Sequence, residues 1–149
     1  MNEQLPLFQT LLLQAQPSRT SCGPTCVAMI ARVQAADVIA LLPRVRSAKR
    51  SKKRTHYTNI AEVLKLLSFF GFNLDRRLRF EDVTDSGDEF GLLRVHTATA
   101  SGHRRGWHWC VIAQGQVSDP SMAEVRDIKT FLAKNSGSRI YFYAVTKAS

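Results

Sequence analysis

The apolar residues of this chain change their period part-way along it. Val27, Ile30 and Ala31 are spaced by three and four, and Ile60, Val63, Leu64 and Leu67 form a second such stripe. Both are the spacing of a helix that buries one side. From Phe72 onward the segments "FNLDRRLRF", "GLLRVHT", "WHWCVIA" and "SRIYFYAVT" read instead as strands. Helices first and strands after pack as separate layers. The expected class is therefore α+β, with N-terminal helices on an antiparallel sheet. One late segment, "MAEVRDIKTFLAKN", reads as a surface helix. With 149 residues, a single domain over 1–149 is expected, long enough to bury a core without disulfides or metal.

The joints carry their own signals. Ser21 is placed to cap the first helix and Pro24 suits its first turn. A short helix over Ala36 to Leu42 is expected to stop at Pro43. Thr58 is the expected cap of the second long helix, and Gly71 its stop. "EDVTDSGDEF" and "ATASGHRRG" read as loops, and "QGQ" as the turn from "WHWCVIA" into "VSDP".

Lys and Arg total 21 against 12 Asp and Glu, a formal net charge of +9. This favours anionic partners without choosing among them. Much of the excess lies in "RVRSAKRSKKRTHY", which has no apolar period. It is expected to be a solvated, mobile loop at 44–56, with Lys49, Arg50, Lys52, Lys53 and Arg54 open to an anionic partner. The three cysteines Cys22, Cys26 and Cys110 do not make a disulfide framework, and a reducing compartment suits them. No signal peptide and no stretch of membrane-spanning length is present, so a cytoplasmic protein is expected.

In "SRTSCGPTCVAMIARV" a polar turn runs into a buried helix, with Cys22 at the joint. Free N–H groups and the positive end of the helix dipole favour a thiolate there, and the Cys22 amide faces any anion bound beside it. Gly23 and Pro24 suit an exposed turn better than a core. Cys26, one helical turn on among apolar residues, reads as core. Cys110 in "WHWCVI" reads as packing.

A thiolate nucleophile needs a base, and the base needs an orienting group. His56 borders the basic loop, His96 ends a strand and His103 sits in a loop. His108 begins a strand between Trp107 and Trp109, whose rings would wall its imidazole. A hairpin turning at 114–116 sets residue 111 against 119 and brings Asp119 near His108. Gln16 stands six residues before Cys22 and offers an amide to an oxyanion.

This ordered set, with Gln16, "CGPTCVAMI", "HWCVI" and "DP", resembles the C39 peptidase family and related C39-like domains, which have a papain-like fold. The likeness spans residues 16–120. "TNIAEVLKLLSFFGF" is similar to the family's middle helix and "GLLRVH" to the strand before the histidine, with Leu92 and Leu93 where the family often has proline and an aliphatic residue. The resemblance implies a cysteine peptidase without cofactor or metal, acting on a peptide or protein. In it Cys22 attacks a carbonyl, His108 moves the proton, Asp119 orients the imidazole, and Gln16 with the Cys22 amide holds the oxyanion. Leading family members process double-glycine leader peptides while fused to a transporter. A chain ending at Ser149 with no membrane span is expected to stand alone.

Three other functions compete. The same thioester serves a deamidase or transglutaminase. The basic loop alone would serve a nucleic-acid-binding protein with a vestigial triad, although "KRSKKRTHY" has almost no interleaved aromatics. A metal site from Cys22, Cys26, His103 and His108 is disfavoured by the long gap between the two pairs.

Overall fold

The computed structural model describes residues 11–50, 55–79, 90–98 and 105–148. The acidic segment 81–89, His103 and the cations Lys52, Lys53 and Arg54 lie outside them. In chain order the elements are α1 (Cys22–Ala31), α2 (Ala35–Ile39), α3 (Leu42–Val45), α4 (Ile60–Phe69), β1 (Phe72–Arg79), β2 (Phe90–Ala98), β3 (Arg105–Ala113), β4 (Gln116–Asp119), β5 (Glu124–Asp127), α5 (Ile128–Lys134) and β6 (Arg139–Lys147). The strands form one antiparallel sheet in the order β1-β6-β2-β3-β4-β5. The class is α+β, as the change of period predicts. No described helix is long and apolar enough to cross a membrane.

The sheet is buried on both sides, and the pleat sorts its residues between two cores. Trp109 and Val111 of β3, with Leu92 and Tyr143, pack under Val27 and Ile30 of α1 and Val63, Leu66 and Leu67 of α4. Cys110 and Ile112, with Leu93, Val95 and Phe142, pack on Phe131 of α5. Gly91 lies where β2 crosses closest to β6. A Cβ there would strike the Tyr143 carbonyl oxygen and backbone carbon.

Several joints differ from the sequence reading, each for a local reason. Ser21 occupies the cap position of α1, but its hydroxyl donates back to the Ser18 carbonyl at 3.0 Å and makes no cap bond. α1 ends at Ala31, because Arg32 turns left-handed and the Gln14 amide holds the corner. Gln14 Nε2 donates to Val33 O at 2.6 Å, and its Oε1 accepts from Ala35 N at 2.8 Å. Pro43 does not stop a helix; it sits in the first turn of α3, where its missing N–H costs nothing. Asn59, not Thr58, caps α4. Its side chain accepts from Glu62 N at 2.8 Å while Glu62 Oε1 accepts from Asn59 N at 3.0 Å, a reciprocal capping box. "MAEVRDIKTFLAKN" is half strand: β5 pairs with β4 before Asp127 caps α5.

The described part of the basic run is not a free loop. Arg44 and Val45 belong to α3, and Arg44 lies over the Phe69 ring at 5.1 Å. Arg50 grips both carboxylate oxygens of Glu62, at 2.7 and 3.0 Å. Arg46 stands 3.8 Å from the same carboxylate and donates to the carbonyls of Thr55 and Tyr57. Glu62 is buried. Burial raises its pKa, but the Arg50 hydrogen bond, the Asn59 amide and the charges of Arg50 and Arg46 leave it lowered. Of the cations expected to meet a partner, Arg50 is thus engaged within the fold, and Lys49 is exposed.

Candidate active site

α1 begins at Cys22, whose side chain is buried. Gly23 explains how the helix comes so close to the sheet. A Cβ on it would run into the Thr58 hydroxyl and lie 3.3 Å from the Trp109 ring. Trp109 Nε1 also donates to Thr58 O at 3.4 Å, so β3, the start of α4 and the start of α1 meet at one point.

β3 carries His108, and β4 carries Asp119. The two strands turn through Gln114 and Gly115, both at positive φ, a two-residue hairpin. The register sets Val111 against Ser118, one residue away from the expected pairing with Asp119. Asp119 still reaches the imidazole: His108 Nε2 and Asp119 Oδ1 are 2.7 Å apart. Ser121 holds the carboxylate from the other direction, donating to the same Oδ1 from its N–H at 2.9 Å and its hydroxyl at 2.7 Å. The Asp-Pro-Ser sequence is the signal for this turn, in which an aspartate accepts from the backbone two residues on.

The thiols of Cys110 and Cys22 both act to raise the His108 pKa. Cys110 was expected to be packing alone. It is fully buried, yet its Sγ, a His108 ring nitrogen and an Asp119 carboxylate oxygen all lie within 4.8 Å of one another. The legible sign is its spacing: a residue two beyond His108 on a strand shares its side. Cys26 is wholly buried, and burial and the neighbouring thiols push its pKa well up, as befits a core cysteine.

Trp107 and Trp109 do not wall the imidazole. Successive side chains of β3 alternate, so both project from the other side. There Arg94 lies 4.2 Å over the Trp107 ring and 5.3 Å over Trp109, and Trp107 packs on His96 and Tyr141. His56 is half-buried, with Nδ1 3.3 Å from Ser18 Oγ and its N–H on Thr20 Oγ1. Gln16 is tied down twice. Its N–H donates to Pro120 O at 2.7 Å, beside Asp119, and Nε2 donates to Ser18 O at 2.8 Å.

The electrostatics favour an ion pair. Burial alone would lower the His108 pKa, but the Asp119 hydrogen bond and the two thiols push it up to about 12. Burial alone would raise Asp119, but His108 and Ser121 bring it down to about 2. Burial raises Cys110 to about 11 against the pull of His108.

The sign of the resulting pH dependence follows by linkage. Asp119 stabilises the fold above its ordinary value of 3.8, and this is lost as pH falls toward 2. His108 stabilises fully below its ordinary value of 6.5, and this is lost as pH rises from there toward 12. The pair contributes most between about pH 4 and 6.5. Urea unfolding across pH is expected to show His108→Ala costing about 2 kcal/mol in that window and less at pH 9. An equal cost at both pH values would show that the pair is not ionised.

No family profile and no curated protein matches this chain. A solved structure does: a double glycine motif protease from an AMS/PCAT transporter, crystallised in complex with the leader peptide. It covers 90% of this chain and 91% of its own, with a TM-score of 0.53 and 14% identity. The two chains share a fold.

Proposed function

We propose that this protein is a cysteine peptidase of papain-like fold, with Cys22 as nucleophile, His108 as base and acid, and Asp119 as orienting group. The observation that carries the reading is the 2.7 Å bond from His108 Nε2 to Asp119, beside a Cys22 at a helix N-terminus whose thiol helps to hold the His108 pKa up. With Nε2 taken by Asp119, Nδ1 is the nitrogen that serves the thiol. In this reading the Cys22 thiolate attacks the carbonyl carbon of a peptide bond. The Cys22 N–H and the second hydrogen of Gln16 Nε2 receive the oxyanion. Imidazolium His108 gives its proton to the departing amine, leaving a thioester. Water, deprotonated by His108, hydrolyses it and restores the thiol.

The shared fold supports a peptide substrate, because the solved protease was crystallised in complex with a leader peptide. The excess of positive charge would steer acidic peptides toward the chain.

The test is the rate of Cys22 alkylation by iodoacetamide against pH, in wild type and His108→Ala. A thiolate–imidazolium pair reacts well below pH 7, and the substitution is expected to move that profile up toward the ordinary thiol range near pH 8.5. A Cys22 that titrates near 8.5 in both proteins would sink the reading. Mass spectrometry of peptides incubated with the reactive protein separates a backbone cut from a one-dalton gain on glutamine or a cross-link. Only the first supports a peptidase.

A further inference from the structure

A second thiol beside the imidazole has no part in the reaction above. Cys110 Sγ, a His108 ring nitrogen and an Asp119 oxygen converge within 4.8 Å, on adjacent strands of a rigid sheet. We propose that His108, Cys110 and Asp119 bind a zinc ion, which takes the place of the proton shared between Nε2 and Oδ1.

The donor set is one that zinc accepts: one thiolate, one imidazole and one carboxylate, with the fourth position left to water. Zinc–donor distances of about 2.0–2.3 Å place tetrahedral ligands roughly 3.3–3.8 Å apart. The most separated of the three atoms therefore need to draw in by about 1–1.5 Å. His108 and Asp119 already approach more closely than that, so the ion widens their contact while Cys110 closes on it. The supporting elements are fixed: Cys110 lies in a strand paired with β2, and the hairpin turn sets β4 against β3. Ser121 holds the same carboxylate from outside, as second-layer donors do at zinc sites. An entry path exists, because the His108 and Asp119 side chains keep 28% and 17% of their surface exposed while Cys110 is closed off behind them.

The charges also fit. A thiolate and a carboxylate balance the two positive charges of the ion, and the imidazole binds neutral. Binding releases the Cys110 thiol proton and the imidazolium proton to solvent, so it strengthens with pH. Cys22 is not a member of this triangle, although its thiol also acts to raise the His108 pKa. An occupied site would leave Cys22 in place and remove its base. Zinc would thus act as a reversible brake on peptide cleavage, yet the binding itself does not depend on the peptidase reading.

The experiment is titration of the full chain with zinc by calorimetry and with cobalt(II) by absorption, each in wild type, Cys110→Val, Asp119→Asn and Cys22→Ala. Wild type is expected to bind one zinc with Kd below about 1 μM and to show a thiolate-to-cobalt charge-transfer band. Cys110→Val keeps the apolar packing of the strand; it is expected to lose that band and to weaken zinc at least about 100-fold. Asp119→Asn is expected to weaken it at least about 10-fold with the band retained. Cys22→Ala is expected to change neither. A band that survives Cys110→Val, or that vanishes with Cys22→Ala, overturns the assignment. Absence of binding at 100 μM zinc does too. Circular dichroism of each variant confirms that a lost band is not lost fold.

Discussion

His108→Ala is expected to lower kcat/KM for peptide cleavage by at least about 10³-fold, close to the effect of Cys22→Ala. The two residues act as one unit, so removing either removes most of what the pair supplies, and the double variant should be little worse than the singles. Asp119→Asn should cost less, about 10²-fold. It leaves the imidazole in place, still neighboured by Cys110 and Cys22, but takes away the charge that holds the ring protonated. Its signature is in the pH profile. With the charge of Asp119 gone, the limb that reports His108 moves down from the alkaline range toward the ordinary 6.5. Steady-state rates of a fluorogenic peptide from pH 5 to 10 read both effects. A profile indifferent to Asp119→Asn would show that the aspartate is only a turn residue.

Glu62→Ala is expected to destabilise the fold by about 3 kcal/mol, although it lies away from the site. One buried carboxylate does two jobs here. It completes the cap of α4 through the Asn59 amide, and it neutralises Arg46 and Arg50. Removing it strips a helix end of its bond and leaves a nearly buried guanidinium without its carboxylate. For a chain of this size that lowers Tm by roughly 6–12 °C. Glu62→Gln keeps an acceptor for Asn59 and should lose less than half as much. Equal losses for both substitutions would assign the whole effect to the lost charge beside Arg46 and Arg50, and none to the cap.

Much of the layout was legible because it rests on periodicity. The change of period marked helices before strands, and the ordered set Gln16, Cys22, His108 and Asp119 marked a common neighbourhood. The approach of Asp119 to the His108 ring depends on a hairpin whose turn residues are plain in the sequence. What misled was chemistry shared between distant residues. Asn59 outcompetes Thr58 as a cap because Glu62 stands three residues on, and that same Glu62 pins a basic run that looked free. Thr58 is occupied instead as the neighbour that only Gly23 admits. Pairing of β5 with β4 overrides the helical reading before Asp127. The tryptophans flanking His108 were read as its walls, when the alternation used to find the strand sends them to the opposite side and sends Cys110 to the near one.

The sheet order has a consequence for the timing of assembly. β6, the last strand in the chain, lies between β1 and β2 and pairs with both, Phe72 to Lys147 on one flank and Gly91 to Ala144 on the other. Until it is made, those two strands have no common neighbour, and the layer under α1 and α4 lacks Tyr143 and Val145. Without it, β1 has no strand to join it to β2, the strand on which β3 and His108 pair. Contacts this far apart in sequence also form slowly. A shortened chain without this strand is therefore expected to leave the sheet divided, with β1 parted from the strands that carry His108 and Asp119.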